Sequence, residues 1–333
     1  MPKKLVICCD GTWNTPERDH STNVVKVTRA IEPRDSRGND QVVFYKWGVG
    51  TANRVDKAIG GTTGRGLNRN IREAYRFLTH NYATGDSLYF FGFSRGAYTV
   101  RSLAGMIHNC GLLKKENSGR IGEAFEMYRS RLKKFHPDES NSIEFKNAYA
   151  RLVKIEFLGV WDTVGALGIP LLGRLARQSQ YGFHDTKLSP IIECAYHALA
   201  IDERRTPFKP SIWAIKRGRV RTAQAWFAGV HSDVGGGYRD DHGLADVALY
   251  WMTERAAECG LQFNERIRDA SFDRDTNYKI HESHKPQFGL PRRRGMLRTS
   301  ADEFVHYTVR DWVDEGSYAP GNLPDGWQGR VWV

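Results

Sequence analysis

The stretch Leu88–Ile107, LYFFGFSRGAYTVRSLAGMI, constrains the fold of this chain more than any other. An apolar run leads into Gly92-Phe93-Ser94-Arg95-Gly96, and a helical pattern starts straight after it. Unbroken apolarity, without polar alternation, suits a strand covered on both faces, as in parallel sheets. Four further short apolar runs repeat the theme: Leu5–Cys9, Val42–Tyr45, Val153–Val160 and Ala223–Val230. Runs of this length bounded by turn signals read as buried strands.

Helical segments lie between them. Leu67, Ile71, Ala74, Tyr75, Leu78 and Tyr82 form one apolar stripe at helical spacing, which is the pattern of a helix docked on a sheet. Ala97–Ile107 predicts a second helix and Leu244–Ala257 a third. The charged segment from Lys114 to Asn147 predicts partly helical chain, a cap or an excursion. Strands alternating with helices place the chain in the α/β class. The expected architecture is a mostly parallel central sheet with helices on both faces. It forms one domain over residues 1–333, with cap insertions near 112–150 and 165–215. No internal repeat or low-complexity tract interrupts it.

Several classes are excluded by simple counts. No apolar run reaches the ~20 residues that span a bilayer. The start, MPKKLVICCDGTWN, has an apolar run too short for a signal peptide. It reads as a first core strand, and the expected location is the cytoplasm. Five cysteines are scattered without a CxxC pair, so neither a zinc site nor a disulfide framework is expected. The formal net charge of +11 favours anionic partners, phospholipid head groups among them, or is simply a basic surface. The densest basic run, Arg292-Arg293-Arg294, lacks interleaved aromatics, so no nucleic-acid partner is expected.

In open α/β sheets, sites form beyond the carboxyl ends of the strands. Here those ends run into Asp10-Gly11-Thr12, Ser94, Asp162 and His231. G-x-S-x-G at a strand-to-helix turn is the pattern of a nucleophile held clear of the sheet. Its glycines leave room for neighbouring chain, and the helix that follows favours developing negative charge. Serine needs a base to take its proton, and the base needs an acid to orient it. The chain order Ser94, Asp162, His231 fits that requirement. His306 is the rival base and Asp233 the rival acid. An oxyanion would be met by the N–H of Arg95 and by Gly11 or Thr12, while Asp10 pins that loop. The apolar stretch Val164–Leu175 suits an acyl pocket or ordinary core.

These motifs also carry a resemblance. CDGTWN (9–14), GVGT (48–51), GFSRGA (92–97), GVWDTVG (159–165) and GVHSDVGGGY (229–238) resemble the α/β-hydrolase family catalogued as domain of unknown function 2235. That family includes the phospholipase effectors of type VI secretion. The resemblance implies a serine hydrolase with Ser94 as nucleophile, Asp162 as acid and His231 as base, acting on lipid acyl esters without metal or cofactor. The implied partners are a small or lipid ester, anionic in some substrates, and a membrane surface touched peripherally.

Two other readings remain open. LVICCDGT resembles the start of a haloacid-dehalogenase phosphatase, with Asp10 as its aspartate; the second acid two residues on is missing, since position 12 is threonine. Gly60–Gly66 is glycine-rich but lacks the lysine of a P-loop. The last reading is a non-catalytic module on a hydrolase scaffold.

Overall fold

A computed structural model describes residues 2–11, 20–48, 64–165, 188–214, 221–265, 278–284, 303–323 and 326–332. The first half of the chain forms β1 (Lys4–Cys9), α1 (Asn23–Ala30), β2 (Gln41–Lys46), α2 (Gly64–Asn81), β3 (Ser87–Phe93), α3 (Arg95–Cys110), β4 (Leu112–Leu113), α4 (Ile121–Arg129) and α5 (Ser140–Tyr149). Then come β5 (Ala150–Arg151), β6 (Ile155–Trp161), β7 (Ile192–Ala200), β8 (Arg221–Phe227), α6 (His231–Gly235), α7 (Gly243–Glu258), β9 (Glu303–His306), α8 (Tyr307–Asp314) and β10 (Val331–Trp332).

Among the described residues, eight strands form one sheet in the order β10-β9-β8-β7-β6-β3-β1-β2. Every neighbouring pair in it is parallel. This is the α/β architecture that the apolar runs predict. The register brings the strand ends level. Cys9 lies opposite Gly92, Phe93 opposite Trp161, and Trp161 opposite Ala198. Residues leaving β1, β3 and β6 therefore emerge side by side at one edge.

Alternate residues of each strand serve opposite faces. Leu5, Ile7, Leu88 and Phe90 meet the stripe Ile71, Ala74, Tyr75 and Leu78 of α2, together with Val100 and Leu103 of α3. Val6, Cys8, Phe91 and Phe157 meet Val24 and Val27 of α1 and Ala248, Trp251 and Met252 of α7 on the other face. Both faces are dry, which is why these strands read as continuous apolar runs. The 112–150 excursion is closed by an antiparallel pair, Leu112 opposite Arg151 and Leu113 opposite Ala150. Its helices α4 and α5 pack on α3.

Three strands depart from the expectation. β7 lies in the middle of the sheet, inside the 165–215 segment expected as a cap insertion. Its sequence, IECAYHALA, carries a glutamate and a histidine that mask a core strand. His197 is fully buried. Its Nε2 accepts from the Thr163 N–H at 3.2 Å, and its Nδ1 lies 3.4 Å from Gln224. Burial, helped by the nearby charge of Arg101, pushes its pKa well below the ordinary imidazole range, so it packs as a neutral ring. β9 and β10 are short and take the sheet edge, where four- and two-residue strands leave little periodicity to read. Among the described residues, no helix is long and apolar enough to cross a membrane.

Gly159 of β6 lies close against Met252 of α7. A Cβ there would stand 2.6 Å from the Met252 sulfur and 2.6 Å from the Phe157 ring. We expect Gly159→Ala to destabilise the fold by about 1–3 kcal/mol. Chemical denaturation checks this, and Met252→Ala in the same chain is expected to restore part of the loss.

Candidate active site

β3 delivers Ser94 in a conformation that few L-residues adopt, φ +56° and ψ −119°. Such backbone costs on the order of 1–3 kcal/mol and persists only where the surroundings enforce it. The enforcing contacts are visible. The Ser94 N–H donates to the Trp161 carbonyl at 3.0 Å, and its own carbonyl accepts from the Tyr98 N–H at 3.2 Å. A Cβ on Gly92 would lie 2.7 Å from the Ala97 backbone nitrogen. One on Gly96 would collide with the carbonyls of Cys9 and Asp10 at the end of β1. The two glycines let strand, elbow and helix touch backbone to backbone.

Asp162 leaves β6 with its own positive φ of 33°. Its N–H donates to the Ala198 carbonyl at 2.8 Å. One carboxylate oxygen accepts from the Ala200 N–H at 3.3 Å. The other lies 2.6 Å from Nδ1 of His231. Nε2 of His231 lies 2.9 Å from Oγ of Ser94. All three side chains are buried. The imidazole is flanked by the rings of Phe93 at 4.6 Å and Phe208 at 4.8 Å.

The backbone around the histidine is held by three carboxylates. The Gly229 N–H donates to Asp202 at 2.7 Å, the Val230 N–H to Asp233 at 2.9 Å, and the His231 N–H to Glu203 at 3.2 Å. Burial by itself would raise the Glu203 carboxyl. The hydrogen bonds and charge of Arg205 outweigh it and hold the pKa down to about 2. That pair is bidentate, at 2.9 and 2.8 Å. Burial raises Asp233, although His281 lies against it at 2.6 Å.

The other sequence-predicted residues fall as follows. Arg95 opens α3, where an α-helix leaves its first N–H groups without an intrahelical acceptor; burial lowers its guanidinium pKa to about 10. Gly11 is a correction to the expected oxyanion pair. Its N–H donates to the Asp10 carboxylate at 2.6 Å, which removes it as a ready donor to substrate. Asp10 also accepts from Thr22 at 2.6 Å and Tyr45 at 2.9 Å. Both of its oxygens are engaged in fastening the loop, an arrangement ill suited to nucleophilic attack on phosphorus. Thr12 and residues 166–187, which hold most of the apolar stretch after Asp162, lie outside the described residues, as do Arg292–Arg294.

The two rivals are placed elsewhere. Asp233 binds the Val230 N–H and His281 rather than the imidazole of His231. His306 lies 2.9 Å from the Thr308 hydroxyl and stacks on Phe227 at 4.6 Å. Sequence reasoning missed Asp202, Glu203, Arg205, Phe208 and His281. A signal existed for the first two: Ala198-Leu199-Ala200-Ile201 runs apolar into Asp202-Glu203, the same strand-into-acid pattern that singled out Asp162. Among the described residues, no group of three or more His, Cys, Asp or Glu side chains is arranged to hold a metal ion.

Comparison with known proteins adds four findings. The family model for the catalytic domain of Tle1-like phospholipase effectors of type VI secretion matches residues 3–255. An uncharacterized protein of Saccharomyces cerevisiae, YEL023C, is 32% identical over 228 residues, covering 62% of this chain and 32% of the yeast protein. The chain thus spans about a third of that relative's length. Among solved structures, an uncharacterized Pseudomonas aeruginosa protein aligns with TM-score 0.48 and 19% identity, over 80% of this chain and 47% of its own. The Tle1 effector bound to the VgrG spike aligns with TM-score 0.41 and 19% identity, over 72% and 51%.

The depressed Glu203 pKa has a stability consequence. Its folded value, about 2, lies below the ordinary 4.5, so the carboxylate's contribution is complete above pH 4.5 and disappears as pH falls toward 2. We expect Glu203→Gln to be less stable than the wild type at pH 7, on the order of 2 kcal/mol. The gap should narrow below pH 4.5 and close as pH falls through about 2 in a series of thermal melts.

Proposed function

We propose, since the chain belongs to the family of Tle1-like phospholipase-effector catalytic domains, that it is a serine hydrolase of lipid acyl esters working through Ser94, His231 and Asp162. One observation carries this reading. The two nitrogens of a single buried imidazole lie 2.9 Å from a serine hydroxyl on one side and 2.6 Å from a carboxylate on the other. That is the arrangement a weak nucleophile needs.

In this mechanism Asp162 holds Nδ1–H and leaves Nε2 as the basic nitrogen facing Ser94. Nε2 takes the hydroxyl proton as Oγ attacks the ester carbonyl. The oxyanion that forms meets the Arg95 N–H at the start of α3, where the helix dipole adds positive potential. A second donor would come from the loop after β1. With the Gly11 N–H bound to Asp10, the N–H of Thr12 is the better candidate. Nε2–H then protonates the leaving alcohol. The acyl-enzyme is cleared by a water that the same nitrogen deprotonates, which returns Ser94 to its hydroxyl form. The burial of Asp162 and His231 strengthens their interaction by excluding water. The basic net charge of the chain suits a substrate or lipid surface that carries negative charge.

The test is turnover of acyl esters of varied chain length and head group, phospholipids included. Ser94→Ala and His231→Ala should each lower kcat by about 10⁴-fold or more, and a fluorophosphonate probe should label Ser94 alone. His306→Ala should keep activity within about tenfold, because that ring is engaged by the Thr308 hydroxyl and the Phe227 ring. Undiminished hydrolysis by Ser94→Ala, or a Mg²⁺-dependent phosphatase activity that survives it, would overturn the reading.

A further inference from the structure

Two cysteines far apart in the sequence meet on the amino-terminal side of the sheet, away from the residues proposed for catalysis. Cys194 is the third residue of β7, and Cys259 follows the last turn of α7. Both are buried and carry free thiols. Arg221, the first residue of β8, stands opposite Cys194 in the parallel register. A single guanidinium nitrogen, Nη1, lies 3.8 Å from the Cys194 sulfur and 3.7 Å from the Cys259 sulfur. The two thiols also share a hydrogen bond with each other. Backbone contacts fix Cys259: its N–H donates to the Arg255 carbonyl at 3.3 Å, and its carbonyl accepts from the Tyr89 hydroxyl at 2.7 Å.

The contact makes the two sulfurs unequal. The hydrogen bond from Cys259 and the bond and charge of Arg221 hold Cys194 below the ordinary thiol range, against burial and the charge of Glu156. The same hydrogen bond, together with burial, raises Cys259. The proton therefore stays on Cys259, and thiolate character gathers on Cys194. Thiolate is the form that attacks an oxidant. The remaining cysteines lack this activation. Burial pushes Cys8 and Cys110 up to about 12 and raises Cys9 as well, so all three stay protonated.

The pair is also reachable. A cavity of about 550 Å³ at the amino ends of β1 and β3 has Cys259, Ala257, Gly260 and Tyr89 in its wall. Neither Cys8, Cys9 nor Cys110 lines it. From the β8 side, Arg221 is exposed, so solvent meets the group that bridges the sulfurs.

We propose that Cys194 and Cys259 form a reversible disulfide on exposure to a peroxide, stapling the start of β7 to the end of α7. The Cys194 thiolate attacks one peroxide oxygen; the S–O bond forms and the O–O bond breaks. The departing hydroxide takes the Cys259 proton and leaves as water. The Cys259 thiolate then attacks the Cys194 sulfur, and the hydroxide it displaces takes a solvent proton. Two thiols and one peroxide become one disulfide and two waters. The link closes a loop that contains β8 and His231, which restricts the unfolded chain and so favours the folded one.

The folded full chain, treated with equimolar hydrogen peroxide, stopped with catalase and capped with N-ethylmaleimide in denaturant, tests this by peptide mass spectrometry. A Cys194–Cys259 peptide should be the main oxidised product, dithiothreitol should reverse it, and Cys8, Cys9 and Cys110 should remain capped. The oxidised chain should melt several degrees higher than the reduced one. Cys259→Ser should stop the reaction at a sulfenic acid on Cys194, captured by dimedone. Arg221→Gln, a change at an exposed side chain, should slow formation of the link at least about threefold. A chain that stays folded without forming the link, a link formed as fast in Arg221→Gln, or a melting temperature that does not rise on oxidation would each overturn the proposal.

Discussion

The short run of chain from Ala198 to Glu203 holds the candidate site together. It ends β7 between the strand that carries Asp162 and the strand that leads to His231. On one side, Ala198 and Ala200 bind the backbone and carboxylate of Asp162. On the other, Asp202 and Glu203 take the N–H groups of Gly229 and His231. The Asp202 N–H also donates to the Gly229 carbonyl at 2.9 Å. Acid and histidine are thereby referred to one rigid strand, and their 2.6 Å contact follows from where that strand ends. Because the interactions are short, buried and partly charge-assisted, they keep an orientation that flexible loops would not.

The same logic extends to the elbow. Ser94 and Asp162 are the non-glycine residues with positive φ among those described. Each stands at the carboxyl end of a strand and donates its N–H to a carbonyl at the end of the next strand: Ser94 to Trp161, and Asp162 to Ala198. Strain at one strand end is thus restrained by the neighbour, which is itself restrained by its own neighbour. The Cys9 and Asp10 carbonyls close on Gly96, so any larger residue there would push α3 away from the end of β1. Local backbone strain of a few kcal/mol is sustained because a dry, eight-stranded sheet anchors all three strand ends.

How much of this was legible in the sequence depends on which residues face water. β1, β3, β6 and β8 announced themselves because both their faces are covered and their residues are apolar, and β2, a half-buried edge strand, did so through the apolar run Val42–Tyr45 alone. The helix stripe from Leu67 to Leu78 did so through its spacing. β7 hid because His197 and Glu193 break the run, and His197 is silenced only by a tertiary environment that no window of sequence contains. Ser94, Asp162 and His231 were legible because each follows an apolar run at the sheet edge. The supporting acids were not separable from ordinary turn residues. Asp233 sits two positions from His231 yet faces His281, and Asp10 ends a strand yet spends its oxygens on Gly11, Thr22 and Tyr45. Position at a strand end narrows the candidates, while direction of the side chain decides among them.

That decision is clearest around the imidazole. The segment from Glu203 to Phe208 wraps His231 from backbone to ring. Glu203 accepts from the His231 N–H and binds Arg205 through both oxygens. The Arg205 guanidinium in turn lies 3.6 Å from the centre of the Phe208 ring, and Phe208 meets the imidazole edge to face. A charged pair and a cation–π contact thus connect the atom that fixes the histidine backbone to the ring that shields its side chain. The arginine is needed at the centre of this arrangement. Without its positive charge, a carboxylate as buried as Glu203 would be driven toward its neutral form, and its grip on the His231 N–H would weaken with it.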